Sequence, residues 1–225
     1  MGKAEALRIV VTACSRAADA LVAVTLAPRC LACTRILDAP LAGPVCPWCW
    51  DDARRANGNY DGALRHIIHA FKYEGRRSLA RPLGAILKSS GADQLRDARC
   101  VVPVPLYPWR RLRRGFNQAA DLARQLDLPV VHALWRTRST LAQTGLTASA
   151  RRRNVHRAFR LSPFLSRRRR AAFIDDAIVV LVDDVMTTGA TLTACAGVLH
   201  DAGAREVRLL TVARAAPPGD VQRRT

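Results

Sequence analysis

The stretch AIVVLVDDVMTTGATLTACAGVLHDAG, residues 177–203, constrains the fold more than any other part of the chain. Residues 177–182 form an unbroken apolar run of strand length, rich in β-branched side chains, the pattern of a strand buried on both faces of a sheet. The run stops at Asp183 and Asp184, and TTG then leads into a helical segment over 190–203. EVRLLTVAR (206–214) is a further strand, RCVVPVP (99–105) and LPVVHALW (128–135) supply two more, and GFNQAADLARQLD (115–127) is helical between those two. Strands alternating with helices predict an α/β fold, a parallel sheet with helices on both faces.

The chain has 225 residues, 49% of them hydrophobic, enough for a substantial core, and no apolar run approaches the length of a bilayer span. Its 36 Lys+Arg against 18 Asp+Glu leave a formal charge of +18. Lys3, Lys72 and Lys88 are the only lysines, so arginine supplies nearly all of the positive charge. An arginine-favouring genome explains part of this richness. The other part is positional, because arginines gather in WRRLRRG (109–115), ARRRN (150–154) and SRRRR (166–170), with Trp109 and Phe116 beside the first cluster. Such a chain attracts polyanions, either nucleic acid or phosphorylated small molecules.

Near the N-terminus, Leu7, Val10, Val11, Cys14, Ala18, Leu21 and Val22 recur at helical spacing, and Arg8, Arg16 and Asp19 interrupt the apolar stretch. This predicts an amphipathic helix over 1–26 that packs on the protein, not a signal peptide, and therefore a cytoplasmic location. In residues 27–56, Cys30/Cys33 and Cys46/Cys49 form two Cys-x-x-Cys pairs on either side of a Pro- and Gly-punctuated join. Each pair can aim two thiolates at one ion, which predicts structural zinc in tetrahedral sulfur coordination. A redox-active pair is the rival, disfavoured by the duplication and by the lack of a surrounding strand-helix pattern. Cys14, Cys100 and Cys195 lie among aliphatics and are expected in the core. The main domain spans 57–214, opening with helices near 61–72 and 77–90, and 215–225 reads as a disordered tail. Within it, residues 136–158 are polar, Arg-rich and aperiodic, a long loop of the kind that serves function in compact domains.

Ligands of open α/β sheets sit beyond the carboxyl ends of the strands, where Asp183 and Asp184 fall. The following TTGAT is a tight turn into a helix, aiming backbone N–H groups and the helix's partial positive charge at one point. Thr187, Thr188 and Thr191 add hydroxyl donors, and Gly189 permits close approach of a phosphate. Carboxylates for a vicinal diol beside a cradle for a monophosphate fit a ribose 5-phosphate. Neither a Walker A loop nor a G-x-G-x-x-G fingerprint is present. His66, His69, His132, His156 and His200 are scattered, and none stands out as a general base.

VVLVDDVMTTGAT (179–191) resembles the signature by which type I phosphoribosyltransferases hold 5-phosphoribosyl 1-pyrophosphate (PRPP). Together with the four-cysteine segment, FKYEG (71–75), VPVP (102–105), RRGFNQA (113–119) and QTGLTASARRRNVHRAF (143–159), it resembles the ComF family over about residues 26–214. These are competence-associated proteins with a zinc-finger-like N-terminus and a phosphoribosyltransferase domain. The resemblance implies that Asp183 and Asp184 are the catalytic acids on the ribose hydroxyls, and that Thr187, Thr188, Gly189, Ala190 and Thr191 hold the 5-phosphate. It places Val104 and Pro105 in the pyrophosphate loop, makes 136–158 a hood over PRPP, and assigns anion contacts to Arg113, Arg114, Asn117, Gln143, Arg152 and Asn154. Mg2+ is implied with PRPP. The family's link to natural transformation implies single-stranded DNA as a partner, met by Arg110, Arg111, Arg113 and Arg114, and other competence or recombination proteins. Two functions stay open: a PRPP-binding protein of DNA uptake, or an active phosphoribosyltransferase of nucleotide salvage with an unidentified acceptor. SRRRRAAFIDD (166–176) is longer and more charged than the family pattern.

Overall fold

The computed structural model describes residues 3–137 and 158–215. Two compact units partition the chain, residues 1–56 with 61–70, and residues 57–60 with 71–225.

In the first unit, α1 (Lys3–Leu26) is the expected helix, but its apolar side is not packed away. Leu7, Val11, Leu21, Val24 and Leu26 are all exposed, as is Cys14, against the expectation that this face and this cysteine are buried. A backbone contact holds the helix, the Leu41 N–H donating to Asp19 Oδ1 at 2.9 Å. Beyond it, α2 (Pro47–Arg55) starts with proline at its first position, where no N–H is needed. The next helix, α3 (Gly62–Tyr73), carries Leu64, Ile67, Ile68 and Phe71 as a fully buried stripe at the i, i+3, i+4, i+7 spacing of one helix face.

The second unit is built on a parallel sheet. After α4 (Ala80–Ser90) and α5 (Ala92–Leu95) comes β1 (Cys100–Pro103), followed by α6 (Pro108–Arg114) and α7 (Gln118–Ala123). A short antiparallel pair, β2 (Leu134–Arg136) with β3 (Phe159–Leu161), stands at the two edges of the expected hood. Then come α8 (Arg167–Phe173), β4 (Ile178–Met186), α9 (Ala190–Asp201) and β5 (Glu206–Arg214). The sheet order is β1-β4-β5, all parallel, with Cys100–Pro103 opposite Val179–Val182 and Ile178–Met186 opposite Glu206–Arg214. Val179 to Val182 and Cys100 to Val102 are fully buried, and α9 covers the face of Cys100, Val102, Val179 and Leu181 with Leu192, Cys195 and Leu199.

Two expectations change, and two stretches that carried no secondary-structure expectation are helical. LPVVHALW is not a strand of the parallel sheet. It makes a single parallel bridge, Val130 to Val101, and then turns into β2. Pro129 has no N–H, so at this edge the ladder reduces to Val101 N–H on Pro129 O and Val131 N–H on Val101 O, each 2.9 Å. The helix expected over 115–127 shortens to α7, because Gly115 takes φ +75° and Asn117 caps the helix start, accepting from Ala119 N–H at 3.1 Å. WRRLRRG is itself helical, as α6. SRRRRAAF forms α8, capped by Ser166, with Arg170 tied to Asp175 at 3.0 Å and Arg167 to Arg169 exposed.

Candidate functional site

The strand β4 does not end with its apolar run at Val182. It continues through both acids to Met186, paired on one side with β5, Asp183 lying opposite Thr211. On the other side β1 stays in register only as far as Val182; the Val104 N–H still donates to Val182 O at 2.9 Å before Pro105 turns the chain away. Above that point the β1 side of β4 opens, and the acidic pair sits at the opening.

Strand alternation separates the two carboxylates. Asp183 shares a face with Val179 and Leu181, toward the buried Cys195 of α9, whose thiol is pushed up by burial and by the Asp183 charge. Asp184 shares the other face, where its Oδ1 lies 2.9 Å from Lys72 Nζ at the end of α3. Both partners are largely covered, with 17% and 11% of their side chains exposed. Burial and the neighbouring Asp184 charge raise the Asp183 carboxyl to about 7, against the pull of the Asp184 backbone N–H and of Lys72.

Five residues past the pair, Gly189 adopts φ +72°, a left-handed conformation that a β-carbon strains, and serves as N-cap of α9 with no side chain capping the helix. Thr187 and Thr188 are exposed, and Gly189, Ala190 and Thr191 partly so. The turn therefore presents uncapped N–H groups and hydroxyls to solvent, at the positive end of a twelve-residue helix.

The motifs that looked scattered in the chain meet beside this crevice. Phe71 packs on Phe116 with ring centroids 5.8 Å apart, and the Arg114 guanidinium lies 4.9 Å over the Tyr73 ring. Gln118 Nε2 donates to Lys72 O at 3.3 Å, so FKYEG and RRGFNQ dock residue against residue. Asn117 Nδ2 in turn donates to Val104 O at 3.1 Å, joining RRGFN to the VPVP loop. With the Val104 N–H and carbonyl both engaged and Pro105 lacking an N–H, these two residues shape the loop. Asp121, also buried, is gripped by Arg77 through Nε at 2.8 Å and a second nitrogen at 3.1 Å, and Arg77 lies 5.4 Å over Phe116.

Phe116, expected as a stacking surface for bases, is only 6% exposed and serves this packing instead. Trp109 on α6 is 68% exposed, as that role requires. The backbone of Arg110, Arg111 and Arg113 belongs to α6, but their side chains, like Gln143, Arg152 and Asn154, fall outside the described residues. Lys72 was not among the expected site residues, although it stood inside a quoted motif. Its signal was compositional: one of three lysines in a chain that otherwise uses arginine.

The four cysteines form a separate centre in the first unit. Arg29 and Ile36 bridge across the first knuckle, and Thr34 N–H closes it onto Cys30 O at 2.9 Å. Cys46 caps α2, putting Cys49 in that helix's first turn. All four sulfurs lie within 4.8 Å of one another, and Cys33 and Cys46 Sγ are 3.7 Å apart. A tetrahedral zinc with sulfurs at about 2.3 Å needs them about 3.8 Å apart. The cluster therefore fits zinc, needing the wider sulfur pairs to close by no more than about 1 Å. Burial opposes ionisation of Cys30, but backbone N–H groups of Cys46, Cys33 and Ala32 bring its thiol down to about 6, preparing it as a thiolate ligand.

A phosphoribosyl transferase domain model matches residues 112–223. Competence protein F of Haemophilus influenzae is 37% identical over 172 residues, covering 70% of this chain and 71% of that protein. DNA utilization protein YhgH of Escherichia coli O157:H7 is 33% identical over 222 residues, covering 89% of this chain and 88% of the relative. Competence protein ComFC of Streptococcus pneumoniae is 26% identical over 175 residues, covering 74% and 72%. The domain match, the relatives spanning most of both chains, and a cysteine cluster fit for zinc have one reading: the chain belongs to the ComF family, with a type I phosphoribosyltransferase-like fold.

Proposed function

We propose that the protein binds PRPP in the crevice at the carboxyl end of β4 and acts in DNA uptake by handling single-stranded DNA. The observation that carries the first half is the acidic pair at the opened edge of β4, followed directly by an uncapped helix N-terminus behind a left-handed glycine. Asp183 and Asp184 accept from the ribose hydroxyls, and the 187–191 turn donates to the 5-phosphate. Val104 and Pro105 wall the diphosphate side; Mg2+ would travel with the diphosphate and neutralise part of its charge. Arg113, Arg114, Asn117, Gln143, Arg152 and Asn154 complete the proposed anion surroundings.

Relatives named for competence and for DNA utilization support the second half. So does the charge of +18, with Trp109 exposed on the arginine-rich α6 for base stacking beside phosphate contacts. Zinc on Cys30, Cys33, Cys46 and Cys49 holds the N-terminal segment together. No helix among the described residues is long and apolar enough to cross a membrane.

The match to a phosphoribosyl transferase domain favours a second reading, turnover of PRPP onto an unidentified acceptor. Calorimetry with PRPP and Mg2+, beside ribose 5-phosphate alone, tests the site: PRPP should bind and the monophosphate more weakly. Absence of heat from both ligands at millimolar concentration would remove the reading. Pyrophosphate release, measured with and without single-stranded DNA or free bases, separates enzyme from binder.

A further inference from the structure

We infer that Lys72 is a positioning residue of the phosphoribosyl site: its ammonium is the built-in counter-ion that lets Asp183 and Asp184 be ionised together and face a sugar diol while a polyanionic ligand approaches. The inference rests on the PRPP reading above and deepens it. FKYEG is the motif that reading left without a role, and its lysine is the residue that reaches the acids.

Lys72 is clamped on every side but one. Phe71 before it is locked against Phe116, Tyr73 after it lies under Arg114, and its own carbonyl accepts from Gln118. What remains free to move is the four-carbon stem, whose ammonium meets Asp184 Oδ1 at 2.9 Å in a position mostly shielded from water. The choice of lysine in a chain with only three suits this role. A compact ammonium can satisfy one carboxylate oxygen and leave the other open, whereas the broad guanidinium fork tends to take both.

Electrostatics says why such a cation is needed. Two ionised carboxylates on consecutive residues carry −2 at the mouth of a site meant for a highly charged anion; with Lys72 they carry −1. Among the described residues, the groups around the pair are Lys72 from α3 and Cys195 from α9, with Arg136 of β2 acting on Cys195. Cys195 is kept neutral and so adds no negative charge of its own. Lys72 thus acts through Asp184, and no contact of its own with ligand is required.

The test compares Lys72→Met and Lys72→Arg with wild type for PRPP affinity in Mg2+, by calorimetry at pH 8 and pH 6. Taking the ratio to wild type at each pH cancels the ionisation of PRPP itself. Lys72→Met should weaken binding at least roughly tenfold at pH 8, where the pair carries far more of its uncompensated second charge than at pH 6. At pH 6 the loss should shrink to about threefold or less, because a proton on the pair does the lysine's work. Lys72→Arg keeps the charge, so any loss it causes by occupying both Asp184 oxygens should be the same at both values and smaller than that of Lys72→Met at pH 8. In an Asp184→Asn background, which also spares the fold an uncompensated carboxylate, Lys72→Met should cost almost nothing further. A Lys72→Met loss equal at both pH values, or one that persists in full in the Asp184→Asn background, overturns the inference and makes Lys72 a structural or ligand-touching residue.

Should wild-type protein bind no PRPP, the PRPP reading fails by itself. Lys72 is then judged without ligand, from the carboxyl 13C titration of Asp183 and Asp184. The upper step of the pair should rise by about one pH unit or more in Lys72→Met; an unchanged titration overturns the counter-ion role.

Discussion

Replacing Asp183 by Asn should make the ligand-free protein more stable and, at the same time, a poorer binder of PRPP. In the folded chain, burial and the Asp184 charge raise this carboxyl from 3.8 to about 7. A group whose folded pKa is raised stabilises fully only below its unfolded value, and that stability is lost as pH climbs through the folded value. The wild type therefore loses stability between about pH 4 and pH 7, whereas the amide of the Asp183→Asn variant has nothing to titrate. The full shift corresponds to a ceiling of about 4 kcal/mol at pH 8. Asp183 is only partly buried by accessible surface, so solvent screening reduces the expected gain to about 2 kcal/mol. For a chain of this size that raises Tm by about 4–8 °C at pH 8, and by much less at pH 4.5. Asp184→Asn should do the opposite. It leaves the covered Lys72 ammonium without its carboxylate and should lower stability by about 1–3 kcal/mol. Thermal melts of both variants at pH 4.5 and 8, paired with PRPP calorimetry, read all of this. A gain for Asp183→Asn that does not depend on pH, or equal destabilisation by both variants, would refute the electrostatic account of the pair.

Zinc removal should act on the first unit alone. Binding free energies on the order of 10–16 kcal/mol in small zinc modules mean that a strong chelator, or Cys46→Ser, should melt the 27–56 segment. Far-UV and near-UV circular dichroism should show the β1-β4-β5 sheet still folded; metal analysis finding no zinc sinks this prediction. If the arginines of α6 and its neighbours meet about five phosphates, single-strand affinity should fall on the order of a hundredfold between about 50 and 200 mM salt. Changing Arg110, Arg111, Arg113 and Arg114 together to Ser should flatten that slope, and an affinity indifferent to salt would exclude this surface.

What could be read from the chain was what local periodicity encodes. β4, α9 and β5 were legible because an apolar run, a glycine turn and a helical stretch follow one another within 37 residues, Ile178–Arg214. The cysteine cluster was legible for a similar reason, since Cys-x-x-Cys sets two thiols on one knuckle whatever surrounds it. Edges were harder. LPVVHALW has the composition of a strand, yet Pro129 withdraws the donor that a second rung needs, and the segment leaves the sheet. WRRLRRG, with few apolar positions, hid a helix that begins at Pro108, a residue suited to a first helical turn. Phe116 beside arginines looked like a stacking surface, and only the distant Phe71 shows why it turns inward. Lys72 to Asp184 spans more than a hundred residues, and no local pattern announces such a pair.

The long-range pair also accounts for the oddest local feature, two carboxylates at the end of a buried strand. Such a dipeptide works against folding, and a chain selected for stability alone would not keep it in an otherwise apolar interior. Here the strand's alternation sends the two acids to opposite faces. Asp184 is answered by an ammonium brought in on α3, and Asp183 is left under burial and repulsion with its carboxyl held near neutrality. FKYEG is fastened to RRGFNQ by two ring contacts and one hydrogen bond, and RRGFNQ to the VPVP loop by Asn117. The neutralising lysine is thus held by the same packing that shapes the loop across the crevice. A disturbance at any of these contacts should shift the titration of the acidic pair before it unfolds the sheet. That ordering is what separates a site assembled for a ligand from a buried charge that packing merely tolerates.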